Sequence, residues 1–522
     1  MSERTKNNLL RQGTILAIAG LIVRLIGMIY RIPVGNIIGD EGNGVYAAAF
    51  NIYNLALIIS SYGLPMAVSK MISASLAKNE YKKSKKILVA SLSFACVVGG
   101  VVALALFLGA DFLARYVYSG YAGIELPFRV LAPTVFIVAI LGVVRGFFQG
   151  HGNMVPTAIS QIFEQIVNAV VSIGAAWILM KEFGKSTRAA GYGAMGSTMG
   201  TCFGALTALV VVGCWYLKGR KKFLQNVEGD EASEDVPYPQ MYRLILATTL
   251  PIILGQTFYQ ISAVFDDILF GKILAMKGFG PEYISSRSGV YNSIYVLMIS
   301  IPMGVATALA SSSLPSIVHS FTQKRMSEVY GKINSVMKFN MMIAIPSSVG
   351  LFILGEPVIS LLFPRLDYVT GGAMLRLGSL AVIFYAISTI TSSILQSLDQ
   401  MMKPVIHSAI SLVIHLVLVS VLLVSTDLDG YALVIGYMTF PVVVGGLNLY
   451  QIRKSIGYRM EVKRTFLLTG LCALFMGLCT FAVYYGLVAL AFNHILTLGI
   501  ALVVAVVTYF GPMMAFHNIE RI

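Results

Sequence analysis

The sequence predicts an all-α polytopic membrane protein of about fourteen transmembrane helices. These form two six-helix lobes in a parallel repeat, with two further helices at the C-terminal end. Composition, the recurrence of long apolar runs and the placement of charge carry that expectation. Of 522 residues, 57% are hydrophobic and 12% charged, with a mean hydropathy of +0.78. A soluble chain would carry roughly a quarter charged residues. Most of this chain must therefore be solvated by lipid or by other helices.

Apolar runs near or above the roughly 17–25 residues needed to span a bilayer recur from end to end. They fall at 12–34, 45–73, 87–112, 128–148, 157–180, 190–217 and 242–271, then at 287–316, 333–355, 372–397, 404–425, 430–450, 465–488 and 493–515. A transmembrane barrel would show short alternating segments instead, so a barrel is excluded.

The net charge of +14 would suggest nucleic acid in a soluble chain, but here its position matters more. Counted loop by loop, one side receives Arg4, Lys6 and Arg11, then Lys78, Lys82, Lys83, Lys85 and Lys86, then Lys218, Arg220, Lys221 and Lys222. Lys324, Arg325 and Lys332 follow, and then Arg453, Lys454, Arg459, Lys463 and Arg464. The opposite loops hold Asp40, Glu41, Glu125, Glu356, Asp427 and Asp429 with scattered basic residues. This is the positive-inside pattern, repeated along the chain. It places both termini in the cytoplasm, makes the helix count even, and removes nucleic acid from the expected partners. The N-terminus does not read as a cleavable signal, because its apolar stretch runs on past Ala17 and Ala19. The five cysteines all fall inside predicted spans without metal spacing, which reads as buried small hydrophobes. No metal and no cofactor is expected.

The longest loop, 218–241, carries Glu228, Asp230, Glu231, Glu234 and Asp235 between basic residues. It reads as a cytoplasmic linker between an N-terminal lobe, 1–217, and a C-terminal lobe, 242–450, with 451–522 supplying two additional spans. An internal comparison supports the division. Gly44-Val45-Tyr46 recurs as Gly289-Val290-Tyr291, and Phe148-Gln149-Gly150 before Pro156 is echoed by Leu395-Gln396-Ser397 before Pro404. Both displacements are close to 245 residues. Six spans per repeat is an even number, so the halves share an orientation. Architectures of this kind are typical of secondary transporters. There is no Walker A sequence and no loop able to fold an ATPase domain, so energy is expected from a gradient, a membrane potential or the substrate itself. No extracytoplasmic loop is long enough to carry acidic catalytic residues persuasively, and the chain is not expected to be an enzyme.

Ionisable residues within spans are costly and mark candidate sites. Arg24 lies about nine residues into the first span, roughly 13 Å deep. Arg31 follows on the same helix face about two turns later, with Gly20 and Gly27 on that stripe. Two guanidiniums on one face suit a diphosphate or another multi-anionic headgroup. The plainer reading is that Arg31 snorkels outward while Arg24 pairs with an acidic residue. Late in the seventh span stand Asp266 and Asp267; Gln256 and Gln260 on preceding turns share a helix face with Asp267, and Asp266 sits beside it with Tyr259 and Ser262. A carboxylate here would pair with Arg24 or Arg31, or take a proton or monovalent cation during transport; alternatively the pair is simply hydrated near the outer interface. Glu164 belongs to a polar stripe with Gln161, Gln165 and Asn168, and either lines an inward vestibule or bonds Arg145. Asn51 and Asn54 are cavity-lining hydrogen-bonding groups or interhelical glue. His407 and His415 read as satisfied core residues.

The stretch Arg24-Leu25-Ile26-Gly27-Met28-Ile29-Tyr30-Arg31, with Ile38-Gly39-Asp40-Glu41-Gly42-Asn43-Gly44-Val45-Tyr46, resembles the opening of the SpoVB and MurJ-like polysaccharide exporters. So do Gly63-Leu64-Pro65 with Ala67-Val68-Ser69-Lys70, the Phe148-Gln149-Gly150 hairpin and Ile301-Pro302-Met303-Gly304-Val305. These exporters belong to the multidrug/oligosaccharidyl-lipid/polysaccharide superfamily. The resemblance implies two six-helix lobes forming a V, alternating access and a lipid-linked oligosaccharide as cargo. It implies a diphosphate-binding role for Arg24, with Arg31 beside it, and a lipid-tail groove formed by the last two helices. Members that carry lipid II place a basic and an acidic residue before the eighth-span proline, where this chain has Leu297 and Ser300. That departure points to the SpoVB-like branch.

The expected function is therefore that of a flippase in the bacterial cytoplasmic membrane, moving an undecaprenyl-diphosphate-linked oligosaccharide, lipid II or a related cell-wall precursor, to the outer leaflet. Substrate-binding candidates are Arg24, Arg31, Asn51, Asn54, Gln256 and Gln260. Asp266, Asp267 and Glu164 are candidates for ion coupling or counter-charge. Expected partners are the lipid-linked sugar diphosphate, membrane lipids and a monovalent cation or proton. Two rivals stand beside this reading: a cation-coupled multidrug exporter of the same superfamily, and a membrane glycosyltransferase or ligase acting on lipid-linked sugars.

Overall fold

The computed structural model describes residues 3–230 and 236–519. Side chains are not described at 3–11, 13–14, 17, 222, 251–252, 254–255, 258–259, 311–312, 315 and 516–519. Arg4, Lys6, Arg11, Lys222 and Tyr259 thus have no described side chain, and Glu231, Glu234 and Asp235 lie outside the described residues.

Every element among the described residues is helical. In chain order they are α1 (Glu3–Leu57), α2 (Leu64–Leu76), α3 (Tyr81–Phe112), α4 (Glu125–Gly150), α5 (Val155–Phe183), α6 (Ala189–Glu228), α7 (Tyr238–Met276) and α8 (Pro281–Val290). Then come α9 (Leu297–Thr322), α10 (Met326–Leu362), α11 (Tyr368–Gly378), α12 (Ala381–Ser397), α13 (Met402–Ser425), α14 (Gly430–Ile456), α15 (Thr469–Ala489) and α16 (His494–Ile519). Short π-helical turns at Ile58–Tyr62, Leu113–Val117, Tyr291–Val296 and Lys463–Leu468 adjoin these helices.

Among the described residues, eleven helices are long and apolar enough to cross a membrane, or twelve if the pair α11 and α12, bent by 52°, is one span. The chain is a multi-span helical membrane protein. Fourteen is not reached by this criterion. Residues 18–76 stand as one of the eleven although Gly39 interrupts them, and α7 is not among them.

The interruption at Gly39 has a clear chemical basis. Its φ of 70° and ψ of 180° are open to glycine and strained for other residues. The break removes hydrogen-bond donors from nearby carbonyls, and Asn43 replaces them. Its side-chain nitrogen donates to the carbonyls of Gly35, at 3.0 Å, and Gly39, at 2.7 Å. The Gly39–Asn43 stretch is thus a self-satisfied corner within α1.

The chain separates into two compact units, Met1–Ser286 and Arg287–Ile522. In the first, α2, α3, α4, α6 and α7 share a core that includes Val68, Ile72, Ile87, Leu141, Ala208 and Ile245. Glycines let α4 lie close on α2. A Cβ at Gly146 would stand 2.7 Å from the Pro65 carbonyl oxygen, and one at Gly150 would stand 2.8 Å from Ile72 Cβ. In the second unit, α15 and α16 pack on α10 through Leu354, Tyr484, Leu498 and Ala501, and Tyr509 donates to the Met342 carbonyl at 2.7 Å. The cysteines differ from expectation: all five are free, but Cys96 and Cys214 are exposed on helix faces and only Cys472 is buried. An exposed thiol on a helix facing lipid costs little, so burial was not required there.

The internal similarity reaches the hydrogen bonds. Before α3, Asn79 adopts a left-handed φ of 59°, and Glu80 N donates to Ser75 O while Tyr81 N donates to Asn79 O. Before α10, Lys324 has φ 57°, and Arg325 N donates to Ser320 O while Met326 N donates to Lys324 O. The residues preceding the two helices, Glu80 (φ −84°, ψ 72°) and Arg325 (φ −86°, ψ 74°), nearly coincide in conformation. The turns at the Phe148-Gln149-Gly150 and Leu395-Gln396-Ser397 echo match in the same way. Gly152 (φ 72°) and Asp399 (φ 59°) each turn the chain after α4 and α12. Asn153 N then donates to Phe148 O, and Gln400 N to Leu395 O.

Candidate functional site

The candidate residues of the first unit fall on α1, α5 and α7. Arg24 is exposed on the early part of α1, among the exposed apolar residues Leu21, Leu25 and Ile29. Arg31 is half-buried, and its guanidinium hydrogen-bonds to the hydroxyls of Tyr30 and Tyr46. The seven-residue spacing therefore gives two guanidiniums with different burial, Arg24 exposed and Arg31 half-buried against two phenols. The glycines between them do not bring a neighbour close: a Cβ at Gly27 would be 3.8 Å from Gln165 Oε1, and one at Gly20 would have nothing within 4 Å.

From Tyr30 the polar line continues into α5. Asn168 Nδ2 donates to the Tyr30 hydroxyl at 3.3 Å, and Ser172 Oγ donates to Asn168 Oδ1 at 2.9 Å. A turn earlier, Glu164 accepts from Arg145 at 2.7 Å, and Arg145 Nε also donates to Ser160 Oγ at 3.0 Å. Of the two readings of Glu164, the bond to Arg145 is the one the structure adopts. In the other direction, the rings of Tyr46, Phe50 and Tyr53 pack in series along α1, with centroids 5.3 and 5.2 Å apart.

Asn51, on the same half of α1, joins α7. Its amide nitrogen donates to Asp267 Oδ2 at 2.8 Å, and its amide oxygen accepts from Gln260 Nε2 at 3.4 Å. Asp267 and Asp266 are 3% and 6% exposed, which rules out a merely hydrated pair at an interface. The Tyr121 hydroxyl donates to the Asp267 backbone oxygen at 3.4 Å. Gln256, by contrast, is exposed, and Asn54 is half-buried three residues beyond Asn51. The structure thus brings Asn51, Gln260 and Asp267 together and leaves Gln256 off that cluster. Asp267 is thus a buried carboxylate that accepts from the Asn51 amide across the α1–α7 contact.

Sequence reasoning missed Tyr30, Tyr46 and Asn168 as the frame of Arg31. The signal was present in the spacing of Tyr46, Phe50 and Tyr53, an aromatic stripe at i, i+4 and i+7. In the second unit, His407 Nδ1 lies 2.7 Å from Asn448 Oδ1 and His415 Nδ1 lies 2.8 Å from the Gly436 carbonyl. Both are satisfied core histidines, as expected. Leu297 is buried, and Ser300 donates to the Leu297 carbonyl at 2.7 Å.

The chain is 29% identical over 479 residues to the Bacillus subtilis (strain 168) protein "Lipid II flippase MurJ", covering 90% of this chain and 87% of that one. It is 24% identical to "Stage V sporulation protein B" of the same organism, covering 88% and 86%. Among solved structures, an inward closed conformation of a lipid II flippase MurJ superposes with a TM-score of 0.70 at 14% identity, covering 97% of this chain and 99% of that one. An inward-facing multidrug resistance MATE family transporter of the MOP superfamily gives 0.68 at 18% identity, covering 83% and 94%. These structures share its fold. A family model described as "Polysaccharide biosynthesis protein" matches residues 9–321, more than half of the chain, which makes this protein a member of that family.

Proposed function

We propose that this protein is a flippase that carries an undecaprenyl-diphosphate-linked oligosaccharide from the cytoplasmic to the outer leaflet of the bacterial cytoplasmic membrane, by alternating access. The observation that carries this reading is the pair Arg24 and Arg31 on one stripe of the first span, the first exposed and the second held by two phenols. Two guanidiniums on one helix stripe match the charge and the oxygens of a diphosphate. The diphosphate meets Arg24 first, Arg31 supports it, and Asn51, Asn54, Gln256 and Gln260 offer hydrogen bonds to the sugar. The relatives named lipid II flippase and stage V sporulation protein B support the same cargo class.

The proposed topology has fourteen spans. Dividing 18–76 at Gly39, joining α11 to α12 and adding α7 brings the number to fourteen. Spans one to six and seven to twelve form the repeats, 1–217 and 242–450, joined by a cytoplasmic linker at 218–241. Residues 451–522 add two helices that accommodate the lipid tail, and both termini are cytoplasmic. The matched hairpins before α3 and α10, and after α4 and α12, support this division.

Depletion of the protein in cells without a redundant exporter tests the reading. We expect lipid-linked precursor to accumulate in the inner leaflet, with wild type restoring export and Arg24→Ala restoring less than about a tenth of it. Full rescue by Arg24→Ala would remove the anion site. A second reading, a cation-coupled multidrug exporter, draws on the buried Asp267 and on the shared MATE fold. It predicts drug resistance lost in Asp267→Asn and retained in Arg24→Ala.

A further inference from the structure

One face of α2 is out of place in a lipid-facing helix. Leu64, Ala67, Val68, Met71 and Ile72 are buried against the first unit's core. The opposite face presents Lys70 and Ser73, both exposed, with Ser69 half-buried beside them. Hydrocarbon would demand apolar residues at these positions, so this face meets water or a polar ligand. It opens on a cavity of about 710 Å³ whose hydrogen-bonding groups are Tyr62, Ser69, Lys70, Ser73 and, from the last turn of α4, Gln149. Among the described residues no carboxylate lines it, and their one charged side chain is the Lys70 cation.

The wall is firmly built. Gly142, Gly146 and Gly150 recur every four residues along α4 and carry α2 on their backs, a Cβ at Gly150 standing 3.0 Å from the Ser69 carbonyl oxygen. Close backbone packing of this kind fixes helices in a membrane, and it fixes the polar face of α2 relative to Gln149. Two sequence features that the Arg24–Arg31 site does not use, Ser69-Lys70 and Phe148-Gln149-Gly150, therefore converge on one cavity. Lys70 stands about 9 Å along the helix from its end at Leu76, on the side that leads into the basic loop from Lys78 to Lys86.

We propose that this cavity is a receiving site for the phosphate-bearing headgroup of the substrate on the cytoplasmic side, with Lys70 as its cation and Ser69, Ser73 and Gln149 as hydrogen-bonding groups. It rests on the flippase reading and adds a first station to it. An ammonium is a compact point charge suited to a phosphate that must later leave, whereas the fork of a guanidinium holds it more firmly. The cavity's volume lies within the range of small-ligand sites and suits a diphosphate with one sugar.

The test is equilibrium binding of a short-chain polyprenyl diphosphate N-acetylglucosamine to the full chain in nanodiscs of neutral lipid. Lys70→Gln should weaken binding roughly tenfold, the loss of one charge-assisted contact, and Lys70→Arg should bind at least as tightly as wild type. Ser69→Ala with Ser73→Ala should weaken it by a smaller factor. Adding phosphatidylglycerol to the discs separates a substrate site from a general anionic-lipid site. Unchanged probe affinity supports the proposal; displacement of the probe from wild type but not from Lys70→Gln would assign the cavity to membrane lipid and overturn it. Wild-type affinity in Lys70→Gln, with loss in Arg24→Ala, would overturn the receiving site while leaving the flippase reading standing. Absence of binding in wild type would overturn both.

Discussion

Arg31 shows how a charge is kept inside a span without a carboxylate. Two phenolic hydroxyls, from Tyr30 and Tyr46, accept from its guanidinium, and Asn168 ties Tyr30 to α5. Asp267 is the complementary case, a carboxylate held by the amide of Asn51. Removing that donor in Asn51→Ala should lower stability by about 1.5–3 kcal/mol, the usual worth of a hydrogen bond to a charged group. Thermal unfolding in detergent reads this, with Asn54→Ala as the contrast expected to shift the transition much less. His151, just past the end of α4, supplies a pH-dependent test. Its ring packs between Phe147 and Phe223, with centroids 4.3 and 5.6 Å away, and burial lowers its pKa from the ordinary 6.5. The unfolded chain therefore takes up the proton first as pH falls below about 6.5, and stability declines from there until the folded state protonates too. His151→Phe should flatten that acid limb of the melting profile. Arg24, Arg31 and Asp267 were legible as candidates because charge within an apolar run stands out. Their partners were not, since Asn51 and Asp267 are separated by 216 residues and tyrosines read as apolar filling.

Helices in this chain are positioned as much by what glycine omits as by what other residues add. Gly146→Ala places a methyl group 2.7 Å from the Pro65 carbonyl oxygen and 3.0 Å from Val68 Cβ. Backbone cannot yield cheaply, so a loss of about 1–3 kcal/mol is expected, read as a lower melting temperature of purified protein. The left-handed residues that precede α3 and α10 give the opposite sign. Lys324 has φ 57° and Asn79 has φ 59°. Asparagine tolerates that conformation better than lysine, so Lys324→Gly should stabilise by about 1 kcal/mol and Asn79→Gly by less. The echo of Phe148-Gln149-Gly150 in Leu395-Gln396-Ser397 pointed to the turns after α4 and α12, whereas no tripeptide echo pointed to those before α3 and α10. Their shared hydrogen bonds are invisible in the residue types, because backbone donors and acceptors are common to every residue but proline. The Gly39 corner was hidden for a related reason: apolar runs on either side read as two spans with a loop, whereas Asn43 lets helical structure resume at once.

At the scale of the whole molecule, composition alone established the class, since few charges over 522 residues leave no way to form a soluble surface. The number of spans was less secure, because a helix broken at Gly39 and a bent pair at α11–α12 both blur the count. The chain belongs to the polysaccharide biosynthesis protein family and shares its fold with lipid II flippase and MATE structures, and the proposed transport function builds on that membership. In the proposed function, the arginines of the first span select an anionic cargo. The central claim is that this chain moves a lipid-linked sugar diphosphate across a bilayer, and purified protein in liposomes measures it directly. The fraction of a fluorescent lipid-linked disaccharide diphosphate that becomes accessible to a membrane-impermeant quencher is followed after adding it to one leaflet. The account predicts translocation in wild type and at most about a tenth of that rate in Arg24→Ala. Equal rates in the two, or no more movement than in empty liposomes, would contradict it.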